Sequence, residues 1–570
     1  MQKWRVYSKK ADFDAIGSRF NIDPVTARII RNRDVTDMEN VDMYLNGTLD
    51  RLHDPMMMKD MDKAVSVIAS SIRDNKHIRI IGDYDIDGIC SIYILFKGLK
   101  ICGADVDYEV PDRITDGYGI NENLIKQAYE AGVEVIITCD NGIAAASQID
   151  YANELGMTVV ITDHHDVPYE ETDNGRRYII PKAAAVVDPK QNDCRYPFKM
   201  LCGAGIAYKF IDCMVKEFQT GDSVMPELLQ FAAIATVGDI VDLLDENRII
   251  VKEGLKLIAN TENYGLNALM AVTGVSRESI NAYHIGFVLG PCLNASGRLD
   301  SAKRALKMLV TDDRAEAERH AGELKDLNEE RKKLTSEAVD KAVDMVENSS
   351  LKDDKVLVIF LPDCHESIAG IVAGRIREKY YKPVIVLTRG EQEAKGSARS
   401  IESYNMFEKL SECKDLFTRF GGHPMAAGLS LPEENIPEFR RRINEYCNLS
   451  EEDLTETVWI DVPMPLEYIN EKLIGLEPFG KANPKPVFAD KNISIRNIRA
   501  IGKDKQYTRM TIAKDSGIVI DAVGFFSCTE LETVYNKNGR ISCTYYPEIN
   551  EFRDKKQIQV CVTGYRIDRI

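Results

Sequence analysis

Between His77 and His165 short apolar runs alternate with longer amphipathic stretches, and this alternation limits the possible folds more than any other feature of the chain. The spacing predicts buried strands over Ile78 to Ile81, Val106 to Val110, Val133 to Thr138 and Thr158 to Thr162. Helices are expected between them, over Ile89 to Leu99, Asn121 to Ala131 and Ala144 to Leu155. That order builds an α/β domain with a parallel sheet covered by helices on both faces. Ligands of such sheets sit at the carboxyl ends of the strands.

Those ends are acidic. The first strand runs into Gly82-Asp83-Tyr84-Asp85-Ile86-Asp87-Gly88, a later one into Asp140-Asn141-Gly142, and the last into Asp163-His164-His165. Aspartates also cap helices and fill turns, so the first motif alone means little. Delivered by separate strands of one sheet, however, these carboxylates crowd into a small volume and repel unless a cation lies between them. Oxygen ligands with one or two imidazoles suit manganese or magnesium better than a thiolate zinc site. A further acidic pair, Asp239 and Asp242, comes after the apolar helix expected over Pro226 to Thr236; Asp239 closes the metal sphere or caps the next segment of chain. Two cations roughly 3.5 to 4 Å apart lower the pKa of water and neutralise a phosphate, which is the chemistry of phosphoester hydrolysis. Gly203-Ala204-Gly205 lacks the third glycine and the preceding strand of a dinucleotide fingerprint.

At 570 residues the chain exceeds one core, since single cores stop growing at roughly 250 to 300 residues. Asp313 to Glu347 is rich in Ala, Glu, Lys, Arg and Leu and reads as a long, solvated connecting helix. A second α/β unit comes next, with strands Lys355 to Leu361 and Pro383 to Thr388 around a helix over Ser367 to Tyr380, and a closing helix over Pro437 to Cys447. Arg440-Arg441-Arg442 lies among glutamates and reads as a solvated face. From about Thr455 alternating segments (Ile493 to Ile501, Thr508 to Ala513, Val519 to Phe525, Gln557 to Arg566) suggest a small barrel of the oligonucleotide-binding type. The net charge of −17 argues against a protein that coats DNA, though not against a narrow basic groove. Thirteen cysteines without a CxxC pair fit free thiols in a reducing compartment. No signal-peptide pattern or membrane-spanning run is read, so a cytoplasmic protein is expected.

The ordered series Asp83 to Gly88, Asp140-Asn141-Gly142, Asp163-His164-His165 and Asp239 resembles the DHH phosphoesterase superfamily, and within it the RecJ family of single-strand-specific 5′→3′ exonucleases. The likeness extends through Arg113 with Gly117-Tyr118-Gly119, Leu201 to Gly205, Glu246-Asn247-Arg248, Asn294 to Arg298, Leu327 to Arg331, Gly396 to Ser400, Gly421 to Pro424, Pro478-Phe479-Gly480 and Asn483-Pro484. It implies an N-terminal extension (1–60), a DHH catalytic domain (61–310), a connecting helix (311–350), a DHH-associated α/β domain (351–452) and an OB-like barrel (453–570). It makes Asp85, Asp87, Asp140, His164 and Asp239 ligands of two Mn2+ or Mg2+ ions, with Asp140 as the bridge. Asp83, Asp163 and His165 would orient ligands or meet the phosphate. Arg298 would contact the scissile phosphate, Arg113, Ser397 and Arg399 a 5′-terminal phosphate, and His423 the nucleic acid. The implied enzyme degrades single-stranded DNA to 5′-mononucleotides in repair and recombination. It would be a monomer with no membrane association, with a single-strand-binding protein or helicase as partner. Two rivals remain: a short-oligonucleotide or cyclic-dinucleotide phosphodiesterase, and a non-catalytic replication scaffold. Cys364-His365-Glu366-Ser367, Gly238 and Asp242 depart from the family pattern.

Overall fold

The computed structural model describes the chain except residues 1, 114–116, 118, 174, 474, 503–504, 553–554 and 569–570; Tyr118 of the resemblance thus lies outside the described residues. The first sheet is wholly parallel, in the order Val106–Glu109, Ile78–Gly82, Val135–Cys139, Thr158–Thr162, Ala185–Val187. Successive side chains of a strand point to opposite faces. Accordingly Ile78, Ile80, Val135, Ile137 and Val160 join one core with the helices Ile86–Ile101, Gly203–Phe218 and Met225–Gly238. Ile81, Ile136, Val159 and Ile161 join another with Glu122–Glu130 and Ala146–Glu154. Burial on both faces explains why these strands are apolar without alternation.

The helix Arg314–Glu347 runs for 34 residues, about 51 Å at 1.5 Å per residue. It is charged outside but not merely solvated. Ala317, Ala321 and Leu324 belong to the first core, and Ala338, Ala342 and Val346 to that of the second domain. One helix therefore fixes the spacing of two lobes. The second domain has a mixed sheet in the order Arg419–His423, Ala426–Leu431, Ala394–Arg399, Val384–Arg389, Leu357–Phe360, packed by Glu366–Tyr380. Arg441 and Arg442 pair with Glu438, Glu445 and Asp415, and Arg440 with Asp354, which accounts for the basic run as a surface network.

The C-terminal strands Phe488–Ile501, Tyr507–Ala513, Val519–Gly524, Lys555–Ile567 and Arg540–Phe552 pair in that order, and the last pairs back to the first, closing a barrel. The first residues, expected only as an extension, belong to the barrel's core: Ile16, Ala27, Ile29, Ile30, Val41 and Tyr44 pack with Phe488, Ile512, Tyr545 and Val560. Lys3–Val6 pairs in parallel with Thr457–Ile460. Arg33 and Asp461 form an ion pair at 2.7 Å, both side chains only 2% exposed. Arg248 of the catalytic lobe donates to the carbonyls of Tyr44 (2.9 Å), Glu477 (3.0 Å) and Pro478 (3.3 Å), tying this third lobe to the first. Among the described residues no helix is long and apolar enough to cross a membrane.

Candidate metal centre and phosphate cleft

Strand register builds the site. Gly82 pairs with Cys139, Cys139 with Thr162, and Thr162 with Val187. The next residue on each strand is an aspartate, so Asp83, Asp140, Asp163 and Asp188 stand in a row at the carboxyl edge of the sheet. Asp85 caps the helix Ile86–Ile101, its Oδ1 accepting from the N–H groups of Asp87 (2.9 Å) and Gly88 (3.1 Å). Asp87 in the first turn accepts from the N–H groups of Gly203 (2.6 Å) and Ala204 (2.8 Å), which open a second helix. The Gly203-Ala204-Gly205 motif is thus a carboxylate anchor at a positive helix end. Gly203 is needed there, because a Cβ would lie 2.8 Å from that of Asp140 and 3.2 Å from Asp87 Oδ2. Asn294 accepts from Ile86 N–H at 2.8 Å, fixing the same turn from another helix.

Ligand atoms converge in three overlapping groups, Asp83–Asp85–Asp140, Asp87–His164–Asp239 and Asp140–His164–His165, each within 4.8 Å. His164 Nε2 lies 3.1 Å from Asp140, 3.5 Å from Asp87 and 3.8 Å from Asp239. Burial, and after it the His165 charge, lowers its pKa to about 3, so it faces three carboxylates as a neutral imidazole. Burial and neighbouring carboxylates raise Asp87 to about 6 and Asp239 to about 8, and push Asp83 and Asp140 well above the usual range. Among the described residues Asp83 Oδ1 is buried without a partner. Asp163 is different: burial would raise it, but the hydrogen bond from His165 Nδ1 (2.8 Å) and the His165 charge hold it low, while His165, despite its burial, is raised to about 9 by the same bond. Cys90, Cys139 and Cys202 lie nearby as buried thiols whose pKa burial pushes far up. Crowded carboxylates, an orphaned oxygen and a neutral imidazole fit divalent cations with hard ligands, without thiolates. Asp242 points away and pairs with Lys481 at 3.2 Å.

Arg298 reaches from the helix Gly290–Leu299 to the Ser367 carbonyl of the second domain at 2.8 Å. Burial and then the Arg113 and Arg331 charges lower its pKa to about 10. Arg113 stacks over Tyr84 at 5.1 Å. Arg113 and Ser397 both line the interdomain cleft of about 430 Å³, with Tyr84, Glu366 and Arg419. Arg399 stands two residues along the same strand as Ser397, its guanidinium against Gly370. His423 ends the edge strand of the second domain, which lines the cleft through Arg419 to Gly421. Sequence reasoning missed Asp188, whose strand Ala185–Val187 is too short to read from periodicity. It also missed a groove of about 560 Å³ between the catalytic lobe and the barrel, lined by Ile240, Tyr283, Phe287, Phe479, Lys481 and Lys485. Tyr283 and Phe287 stack at 5.0 Å while 60% and 69% exposed, and Ile240, next to Asp239, is 66% exposed at φ 57°, a strained value for a β-branched residue. The signal was faint: an aromatic pair at i, i+4 usually packs inward.

Three family models match: the DHH family N-terminal domain over residues 77–236, the DHHA1 domain over 353–449 and the RecJ OB domain over 460–564. The chain is 37% identical to the single-stranded-DNA-specific exonuclease RecJ of Bacillus subtilis, over 98% of this chain and 70% of that protein. It is 32% identical to the protein of that name from Haemophilus influenzae, over 96% and 97%. The structure of RecJ from Thermus thermophilus in complex with Mn2+ superposes with a TM-score of 0.81 at 26% identity, covering all of this chain and 80% of that one. Its Mg2+ complex gives 0.78 at 25%, covering 100% and 79%. With the three domain types in this order and relatives of this identity aligned along nearly its whole length, the chain belongs to the RecJ family of DHH proteins.

Proposed function

We propose that this chain is a divalent-metal-dependent exonuclease that removes 5′-mononucleotides from single-stranded DNA, acting as a monomer in cytoplasmic DNA repair and recombination. The observation that carries it is the overlap of the carboxylate and imidazole groups at Asp140 and His164 beneath a cleft lined by arginines. Asp85, Asp87, Asp140, His164 and Asp239 are the proposed ligands of two Mn2+ or Mg2+ ions, with Asp83 beside them. When bound, these ions neutralise the phosphate and lower the pKa of water.

The chain's own residues do the rest. Arg298, held by the Ser367 carbonyl, orients the scissile phosphate. Arg113, Ser397 and Arg399 receive the terminal 5′-phosphate, for which a guanidinium fork is suited. Closure behind that phosphate makes cleavage end-dependent, because only the first phosphodiester then reaches the cluster. Water adds to phosphorus, the bond to the 3′ oxygen of the terminal nucleotide breaks, and that oxygen takes a proton. His165, whose Nδ1 hydrogen-bonds Asp163 at 2.8 Å, is the proposed donor of that proton. The shortened strand keeps a 5′-phosphate for the next cycle. Its bases stack on Tyr283 and Phe287 in the groove toward the barrel, a contact that unpaired bases can make and paired ones cannot.

Digestion of 5′- and 3′-labelled single strands and duplexes with Mn2+, Mg2+ or chelator tests this. Loss of mononucleotides from the 5′ end of single strands alone is expected, and Asp140→Ala should abolish it. Full activity of that variant, or equal cleavage of dinucleotides and long strands, would overturn the reading.

A further inference from the structure

The row of strand-end aspartates has a fourth member that this chemistry leaves unused. Asp188 is fully buried; its Oδ1 accepts from the N–H of Lys190 at 2.7 Å, and its Oδ2 has no partner among the described residues. Gln191, buried in the same turn, donates its side-chain amide to the Val186 carbonyl at 2.7 Å and its backbone N–H to that of Asp188 at 3.3 Å. A turn pinned at these points holds Lys190 in one place.

The Lys190 side chain crosses to the residue after the DHH triplet, with Nζ 3.0 Å from Asp166 Oδ1. The pair is open to solvent on the Asp166 side, 26% and 69% exposed, and such rim pairs contribute little to stability. Lys190 therefore has a poor structural reason for its position. The strand before it, Ala185–Val187, is the edge of the sheet beside Thr158–Thr162, and Asp166 directly follows His165, so the ammonium lies at the flank of the cluster that carries the two imidazoles. Arg298 lies at the other flank, on a helix packed against the Asp83–Asp87 turn: Asn294 accepts from Ile86 N–H, and a Cβ on Gly297 would collide with the Tyr84 carbonyl oxygen. A phosphodiester offers oxygens on both sides of its phosphorus, and a cation on the Thr158–Thr162 and Ala185–Val187 side of the cluster approaches it from the direction Arg298 does not cover.

We propose that Lys190 binds the scissile phosphate from the His164–Asp239 flank, opposite Arg298, exchanging Asp166 for a phosphate oxygen as substrate arrives. This rests on the exonuclease reading above. Lys190→Gln and Lys190→Arg, with Lys182→Gln as a control ahead of the strand Ala185–Val187, at its opposite end, are compared in single-turnover cleavage of an oligodeoxythymidylate at saturating enzyme. Mn2+ affinity is measured calorimetrically for each. Lys190→Gln should slow the cleavage step about tenfold to hundredfold, the usual worth of a charged hydrogen bond. Mn2+ affinity should stay within about twofold, Lys190→Arg should recover most of the rate, and Lys182→Gln should match wild type.

A cleavage step within about twofold of wild type would overturn the proposal, as would a loss confined to substrate affinity. A fall in Mn2+ affinity that accounts for the lost rate would also overturn it, by making Lys190 a support of the cluster. If the wild-type protein leaves the oligonucleotide intact, the exonuclease reading itself fails, independently of Lys190.

Discussion

Loading the metal centre should expel protons, and the geometry sets how many. Asp239 lies at about 8 and Asp87 at about 6, raised first by burial and then by each other's neighbourhood of carboxylates, with Asp83 and Asp140 also high. A group of pKa 8 is about 90% protonated at pH 7, and one of pKa 6 about 10%. Asp239 therefore supplies about one proton at neutral pH, and Asp83 and Asp140 add to it. The release belongs to the set, because coupled carboxylates titrate together. His164, near 3, is already neutral and competes with no cation. Mn2+ affinity should rise about tenfold per pH unit for each proton released between pH 6 and 8. Titration calorimetry in two buffers of different ionisation enthalpy reads the proton count directly. The same shifts affect folding. Carboxylates raised above an unfolded value near 3.9 favour the metal-free fold fully only below about pH 4, and that contribution is lost as pH rises through about 6 and 8. The gain in melting temperature from Mn2+ should thus be larger at pH 8 than at pH 6. Release of under about half a proton at pH 7, with the metal demonstrably bound, would refute the crowding on which this rests.

Other outcomes depend on single contacts. Gly203→Ala, which puts a methyl against Asp140 and Asp87, should weaken Mn2+ binding about 10- to 100-fold with unchanged circular dichroism. Asp461→Ala should destabilise the barrel lobe by about 3 to 5 kcal/mol in urea unfolding, because Arg33 is left buried without its partner. Phe287→Ala in an Asp140→Ala background should weaken single-strand binding by about 1 to 3 kcal/mol in fluorescence anisotropy, with duplex binding unaffected.

The catalytic sheet was legible because its strands are buried on both faces, which writes them as continuous apolar runs, and because acids come directly after them. The row at Asp83, Asp140 and Asp163 needed only strand order to be recognised. Asp188 was hidden by a strand of three residues. The strand Arg540–Phe552 was missed because Pro547 and its charged residues break the alternation, and pairing along Lys555–Ile567 holds it regardless. The barrel's dependence on Ile16, Ile29 and Ile30 could not be read either, since amphipathic helices state that they have a buried face without naming what covers it. Arg298 illustrates a different limit. Its carbonyl partner, Ser367, belongs to another domain, and no local pattern encodes a contact across a cleft.

The shared core of the first helices and the barrel sets a schedule for synthesis. Asn32 and Asp461, which are hydrogen-bonded in that core, are 429 residues apart. At about 5 to 20 residues per second, roughly 20 to 90 s pass on the ribosome before the helices meet the strands that cover them. Meanwhile both α/β lobes can close around the long helix, leaving Ile16, Ile29 and Ile30 as an uncovered apolar face. Translation stopping before Val560 and Val562 would release a chain with assembled catalytic lobes and a sticky leading segment, the kind of product that chaperones hold and proteases remove.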